Sequence, residues 1–394
     1  MPARRGSNFA LITAHVAGMI DLVALPVWVN TLIEQYHFDA QRAGALATVY
    51  LACAVLCSAC IAPMFTRLPG RLAATAGFAI AASGFGAATH QTGFSGMLAA
   101  HAVAGIGIGC GLSVAHGAIG KAANPHRLFA LGHLALAIFG IAYFAIVPSL
   151  VLAHGGAMLF DVFAALSVIT TVVLALAWPV STAGTDSVRH GPANGGARAV
   201  RFERLERGCW SAIIGIVFMA VNQAMVFSFV QRIGLTRGFG IAHVNGVLVG
   251  VGLVNLLPPV LAALLQRKLD ASSVALGGPI AQAILAWVIS STTSFVPYAF
   301  ATSLWVFAMI FTHTFLFGLL AKLDTSGRAV AYTPAMLMAG SAVGPLLGGA
   351  LIVRFGFPAI GIAACFIGLA SFLFFRRLRV LSVAQPRLDL PRAG

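Results

Sequence analysis

The chain divides into twelve apolar stretches of bilayer-spanning length separated by short polar breaks, a repetition that leaves few folds open to it. A helix needs about 20 apolar residues to cross the hydrocarbon core, since each residue rises only about 1.5 Å. The stretches fall at 8–32, 43–65, 72–91, 97–120, 128–153, 158–179, 209–232, 242–266, 272–292, 297–321, 329–353 and 358–375. Backbone polar groups in lipid must be satisfied within their own segment. Each stretch is therefore predicted to be a helix, and the chain an all-α membrane protein with 12 transmembrane helices. With 59% hydrophobic and 9% charged residues, it has too little polar surface to coat a soluble globule of 394 residues.

The cations select an orientation. Twenty of the 24 Lys and Arg residues lie in alternate gaps: Arg4, Arg5, Arg67, Arg71, Lys121, Arg127, Arg189, Arg198, Arg201, Arg204, Arg207, Arg267, Lys268, Lys322, Arg328, Arg376, Arg377, Arg379, Arg387 and Arg392. Only Arg42, Arg232, Arg237 and Arg354 fall in the others. The positive-inside rule then predicts both termini in the cytoplasm and a multi-pass protein of the bacterial inner (plasma) membrane. The formal charge of +14 is spread in pairs over loops, which points to anionic lipid headgroups and to no nucleic acid. Arg4 and Arg5 precede an apolar run as in a secretory signal, but no small-residue cleavage site follows, so the run is read as an uncleaved first helix. Six cysteines give no disulfide framework, and although Cys53, Cys57 and Cys60 share a helix, no metal site is expected.

Between the sixth and seventh stretches lies a polar segment containing Gly184, Gly191, Pro192, Gly195 and Gly196, too poor in apolar residues to fold alone. It divides the chain into an N-terminal six-helix bundle (1–180), a cytoplasmic linker (181–207), a C-terminal six-helix bundle (208–376) and a cytoplasmic tail (377–394). From Val200 to Arg207 a short basic surface helix and a plain linker fit equally well. The halves echo each other at an offset of 201 residues: Lys121 and Arg127 recur as Lys322 and Arg328, Arg67 as Lys268, and Phe38 as Phe239. Tandem repeats of six helices share one orientation, so the predicted architecture is a parallel pair related by an axis along the membrane normal.

This pattern resembles the major facilitator superfamily over nearly the whole chain. The first stretch, Gly18-Met-Ile-Asp21-Leu-Val-Ala-Leu-Pro26, followed by Phe38-Asp39 and Gly44, is similar to the first-helix signature of its 12-helix drug/proton antiporter branch. The loop Ala62-Pro-Met-Phe-Thr66-Arg67-Leu-Pro69-Gly70-Arg71 resembles the G-x-x-x-D-R-x-G-R-R motif without its first Gly and its Asp. The fourth stretch carries His101 ahead of Gly105-Ile-Gly107-Ile-Gly109, where many antiporters have an Arg, so Arg-based proton coupling does not carry over. The eleventh holds Gly344-Pro345-Leu-Leu-Gly348-Gly349, similar to the Gly-Pro motif that antiporters place in helix five. The resemblance implies a central cavity lined by the first, fourth, seventh and tenth helices.

Asp21 is the only acidic residue deep within a predicted span, where a charge is costly unless it meets a partner or a wet cavity. It is the leading candidate for proton coupling and for substrate binding; a structural carboxyl is the alternative. At the repeat offset stands Asn222, next to Gln223, and the implied cavity would set Asn222 opposite Asp21. Trp28 lies seven residues on, over the face of Asp21, as a stacking wall for substrate or an aromatic belt residue. Among the intramembrane histidines, His15, His116 and His133 are each read as bonded between helices, while His101 and His313 sit on the two implied cavity helices and are the candidates for proton coupling. Tyr50, Asn245, Asn255 and Tyr332 complete the candidate substrate-binding set, with Gln282 a further polar group in a span.

No H-E-x-x-H, Walker A or G-x-S-x-G pattern appears, and no strand encloses the glycines of the fourth stretch, so neither an enzyme nor a cofactor is expected. The expected function is secondary active transport of a small organic solute by alternating access. Proton-coupled efflux is the leading form, with proton-coupled uptake of a nutrient or metabolite as the alternative and a non-transporting membrane sensor as a remote one. The expected partners are the substrate, protons and membrane lipids, and the expected state is a monomer. No Lys or Arg lies deep in a span, which favours neutral or cationic cargo, although histidines can accept an anion.

Overall fold

The computed structural model describes residues 2–61, 64, 67–122, 124–179, 207–323 and 333–384. The expected linker, save Arg207, the end of the expected tail, and Tyr332 lie outside them. The first half comprises α1 (Pro2–Glu34), α2 (Ala40–Ile61), α3 (Gly70–Ala88), α4 (Phe94–Gly120), α5 (Pro125–His154) and α6 (Ala157–Ala177). The second comprises α7 (Arg207–Phe227), α8 (Val230–Thr236), α9 (Ile241–Val254), α10 (Leu257–Leu265), α11 (Ala271–Ser291), α12 (Phe295–Leu323), α13 (Thr333–Phe355) and α14 (Pro358–Ala384). Ala40 and Ile241, Gly70 and Ala271, Phe94 and Phe295, and Ala157 and Pro358 open four pairs of helices that start 201 residues apart, as the tandem repeat requires.

Two expected spans are each divided into two helices. The seventh breaks after Phe227, where Ser228 Oγ donates to the Ala224 carbonyl at 2.7 Å, a bond that draws the main chain out of regular helix. The eighth breaks before Pro258 and Pro259, which lack the N–H that a continuing helix needs. Counting each broken pair once, 11 described helices are long and apolar enough to cross a membrane. The remaining one, α3, has eight alanines and four glycines in its 19 residues. Its length still reaches about 28 Å, enough for the hydrocarbon core.

Alternating helix directions gather Arg67, Arg71, Lys121, Arg127, Arg207, Arg267, Lys268 and Lys322 on one face, here the basic face. Three of the four cations on the far face are engaged locally. Arg42 pairs with Asp39 at 3.6 Å and lies 5.7 Å over the Phe94 ring, Arg232 pairs with Glu34, and Arg237 donates to the Ser290 carbonyl at the end of α11. On the basic face Arg71 does the same for α6 through the Ala175 carbonyl. A cation at a helix C-terminus occupies a carbonyl that has no partner within the helix and complements the dipole. Also on the far face, burial and then the Asp161 carboxylate push the Tyr36 phenol up to about 12, so that ring keeps its proton.

Small residues set the spacing between helices. Gly105 and Gly109 of α4 lie against the main chain of α2 at Tyr50 and Ala54, while Gly107 and Gly111 lie against α3 at Ala81 and Phe78. One row of glycines thus seats two neighbours, because lipid gives no hydrophobic drive to association and close packing must supply it. The same device joins the halves near the far face. A Cβ at Gly44 would strike the Pro345 carbonyl, one at Gly349 would strike the Ala40 carbonyl, and the Leu346 N–H donates to Thr48 Oγ1 at 3.2 Å. The Gly-Pro segment of α13 therefore forms part of the seam between halves. Further along the seam, α5 packs on α9 with Ile141 against Gly252.

Replacing Gly44 by Val is expected to force α2 from α13 at a strain of about 1–3 kcal/mol. Spin labels at Gln41 and Val353 should then move apart relative to the parent protein, and an unchanged distance distribution would show that the seam does not depend on this contact.

Candidate transport site

α1 is the one helix that touches α2, α4, α5 and α6 of its own half and also α7 and α8 of the other. Its polar side chains therefore mark levels through the bundle: His15 toward the basic face, Asp21 in the middle, and Asn30, Thr31 and Glu34 toward the far face.

Asp21 is 2% exposed. Its Oδ1 accepts the Leu22 N–H at 2.8 Å, while Oδ2 is buried with no hydrogen-bond partner among the described residues. The buried Tyr50 of α2 lies within electrostatic reach of the carboxyl. An unpaired carboxylate here is costly, so Oδ2 is a place where a proton or a solute donor fits.

Trp28 and His101 do not line a cavity between the halves as expected; they bind each other inside the first half, each 1% exposed. The Met97 carbonyl, 2.8 Å from His101 Nδ1, can only accept, so Nδ1 carries the hydrogen. Nε2 is then a lone-pair acceptor, and the Trp28 indole N–H donates to it at 3.1 Å. A proton on Nε2 would displace the indole, which makes this imidazole a poor relay. Tyr50 and Phe163 pack on the indole at 5.0 and 5.1 Å between ring centres. The physical reason is rotational: the Asp21 and Trp28 face of α1 turns into its own bundle, toward α2 and α4.

Asn222, expected opposite Asp21 across the cavity, makes no hydrogen bond to it. Asn222 turns to α14, where Nδ2 donates to the Ala364 carbonyl at 3.3 Å. Gln223 meets Gln282 of α11 at 3.2 Å, and its main-chain carbonyl accepts the Trp305 indole N–H at 3.3 Å. Asn245 Oδ1 accepts from Gln231 Nε2 at 2.8 Å, and Asn255, capping α9, has a buried Oδ1 without a partner among the described residues. His313 of α12 has a buried Nδ1 without a partner among the described residues and packs on Phe317, with ring centres 4.9 Å apart.

Two further polar groupings stand out, the first between the halves and the second among helices of the first half. Toward the far face a cavity of ≈ 440 Å³ is lined by Asn30, Thr31 and Glu34 of α1 and Gln231 and Arg232 of α8, with Glu34 and Arg232 joined across it. Toward the basic face His15, His116 and His133 cluster: His15 Nδ1 is 3.0 Å from His116 Nε2, and its ring centre is 4.6 Å from that of His133. Sequence reasoning missed both groupings. Glu34 and Arg232 at matched ends of the first and seventh stretches were a readable signal, whereas three histidines on three helices have no spacing that joins them.

Two halves of six helices meeting along α1, α2 and α5 on one side and α7 to α9 and α13 on the other give the geometry, and the sequence matches the family model of the Major Facilitator Superfamily over residues 10–325. The chain belongs to the Major Facilitator Superfamily. No curated protein matches it in sequence. Among solved structures, the superfamily fold aligns with the nucleoside transporter NupG at a TM-score of 0.72 and 13% identity, covering 98% of this chain and 100% of that one. An auto-inhibited POT family peptide transporter aligns at 0.71 and 13%, covering 98% and 99%. A mutant of the peptide transporter POT in complex with alafosfalin aligns at 0.67 and 15%, covering 95% of each.

The Trp28–His101 bond makes a direct prediction for this superfamily member. Trp28→Phe keeps the ring but leaves His101 Nε2 without its donor, which should cost about 1–3 kcal/mol of stability. A lower thermal midpoint with unchanged flux per folded molecule is expected; a selective loss of flux would instead place the indole on the solute path.

Proposed function

We propose that the chain is a proton-coupled secondary transporter that carries a small organic solute by alternating access of its six-helix halves, 1–180 and 208–376. The observation that carries this reading is the orphaned, buried Oδ2 of Asp21, midway along α1 between the far-face cavity and the histidine cluster. In this reading Asp21 takes a proton from one face and releases it to the other as the halves rock about the glycine seam. The bias of cations supports a bacterial inner membrane with cytoplasmic termini.

The first-span likeness to drug/proton antiporters favours exchange of protons against an exported solute. Movement of solute and proton together is the second reading, favoured by the histidine cluster, where a proton can sit beside an anionic group. Purified protein in vesicles with an internal pH dye separates the two, because adding solute outside acidifies the lumen in co-transport and alkalinises it in exchange.

Asp21→Asn retains shape and loses the titrating group. Gradient-driven solute accumulation in vesicles should fall at least about tenfold, the scale expected when a coupling free energy of 1–3 kcal/mol is removed, while gradient-free exchange of labelled for unlabelled solute persists. Undiminished proton-driven accumulation in this variant would refute the coupling role.

A further inference from the structure

We infer that His15, His116 and His133 form a binding site for a small organic carboxylate that is bound together with one proton. The inference rests on the transport reading for its place in a cycle, but the site is argued from its own geometry. His15 is 1% exposed and its Nε2 has no hydrogen-bond partner among the described residues. Its other nitrogen, Nδ1, lies 3.0 Å from His116 Nε2, so one ring must donate and the other accept. His133 Nδ1 donates to the Phe129 carbonyl at 2.9 Å, which leaves its Nε2 as an acceptor when neutral. Gly132 makes the room, since a Cβ there would strike the His15 ring.

The charges around the cluster define what completes it. The helices α2, α4, α5, α7, α9, α10, α11 and α12 contain no Asp or Glu, and Lys121 and Arg127 stand at the basic-face ends of α4 and α5. Asp161 of α6 stands at the far face. The nearest acid along α1, Asp21, lies six residues from His15, about 9 Å along the axis and on a different face. A proton held by the imidazoles thus has no carboxylate beside it among the described residues, and an anion from solution is a group that can neutralise it. Among the described residues no three His, Cys, Asp or Glu side chains converge as metal ligands.

A carboxylate suits the arrangement because its two oxygens accept from two imidazole N–H groups at once. Apolar surface stands ready for the body of the molecule: Phe129 meets His15 and His116 edge-on, with ring centres at 6.3 and 5.3 Å. His133 is the most exposed of the cluster and gives the ligand its approach. Proton and carboxylate each strengthen the binding of the other, since linkage is reciprocal.

The test uses the purified full-length protein with acetate, lactate, benzoate and phenylacetate as probes, and benzamide as the uncharged control. At least one carboxylate is expected to bind by calorimetry, tightening about tenfold per unit fall in pH between about pH 7.5 and 5.5, with about one proton taken up per site in lightly buffered solution. His133→Gln, at an exposed position, should weaken that binding at least about tenfold, whereas His90→Gln, exposed between α3 and α4 at the far face, should leave it intact. Failure of all four carboxylates to bind, binding without proton uptake, or equal binding of benzamide would overturn the inference even where vesicle transport persists. Carboxylate binding with proton uptake, in a protein that shows no coupled flux in vesicles, would leave the site standing and overturn the transport reading.

Discussion

Lipid offers no hydrogen bonds, so every polar group inside this bundle either finds a partner on a neighbouring helix or stands as an orphan, and the molecule can be read by sorting its groups into those two classes. Trp28 and His101 satisfy each other, Gln231 satisfies Asn245, and Ser371 Oγ donates to the Gly215 carbonyl at 2.9 Å. Asp21 Oδ2, His15 Nε2 and His313 Nδ1 remain open. The closed pairs bolt helices of one half together, while the open atoms include amide oxygens of Asn222, Asn255 and Gln282 beside the carboxylate and imidazole atoms.

The architecture was legible in the chain because lipid imposes it locally: a span announces itself by its own composition, and the offset between Lys121/Arg127 and Lys322/Arg328 reports the duplication without any knowledge of packing. The site was much less legible, because it depends on rotation about each helix axis. Trp28 was placed correctly on the face of Asp21, yet nothing in the sequence says that this face turns inward, toward α2 and α4. His15 lies six residues from Asp21 and so was set apart from it; its true neighbours, His116 and His133, are on other helices and share no spacing with it. The breaks at Ser228 and before Pro258 were written in residue types but lay hidden within otherwise apolar stretches.

The duplicated halves have kept their backbone register and exchanged their chemistry. Positions 201 apart pair Asp21 with Asn222, Trp28 with Phe229 and His101 with Thr302. Only two of these three positions answer a polar group with an amide or a hydroxyl, and His15 and His116 have the apolar Ile216 and Phe317 as counterparts.

The closest contacts between α2 and α13 are made by glycines and carbonyls, with the Thr48 hydroxyl accepting the Leu346 N–H. A contact built from main chain has no ionisable part, so acidity and salt act on the joint between the halves through the Glu34–Arg232 pair and not through these glycines. In the cycle proposed above, solute and proton act through occupancy of the interior, and the glycine contact itself stays indifferent to the gradient.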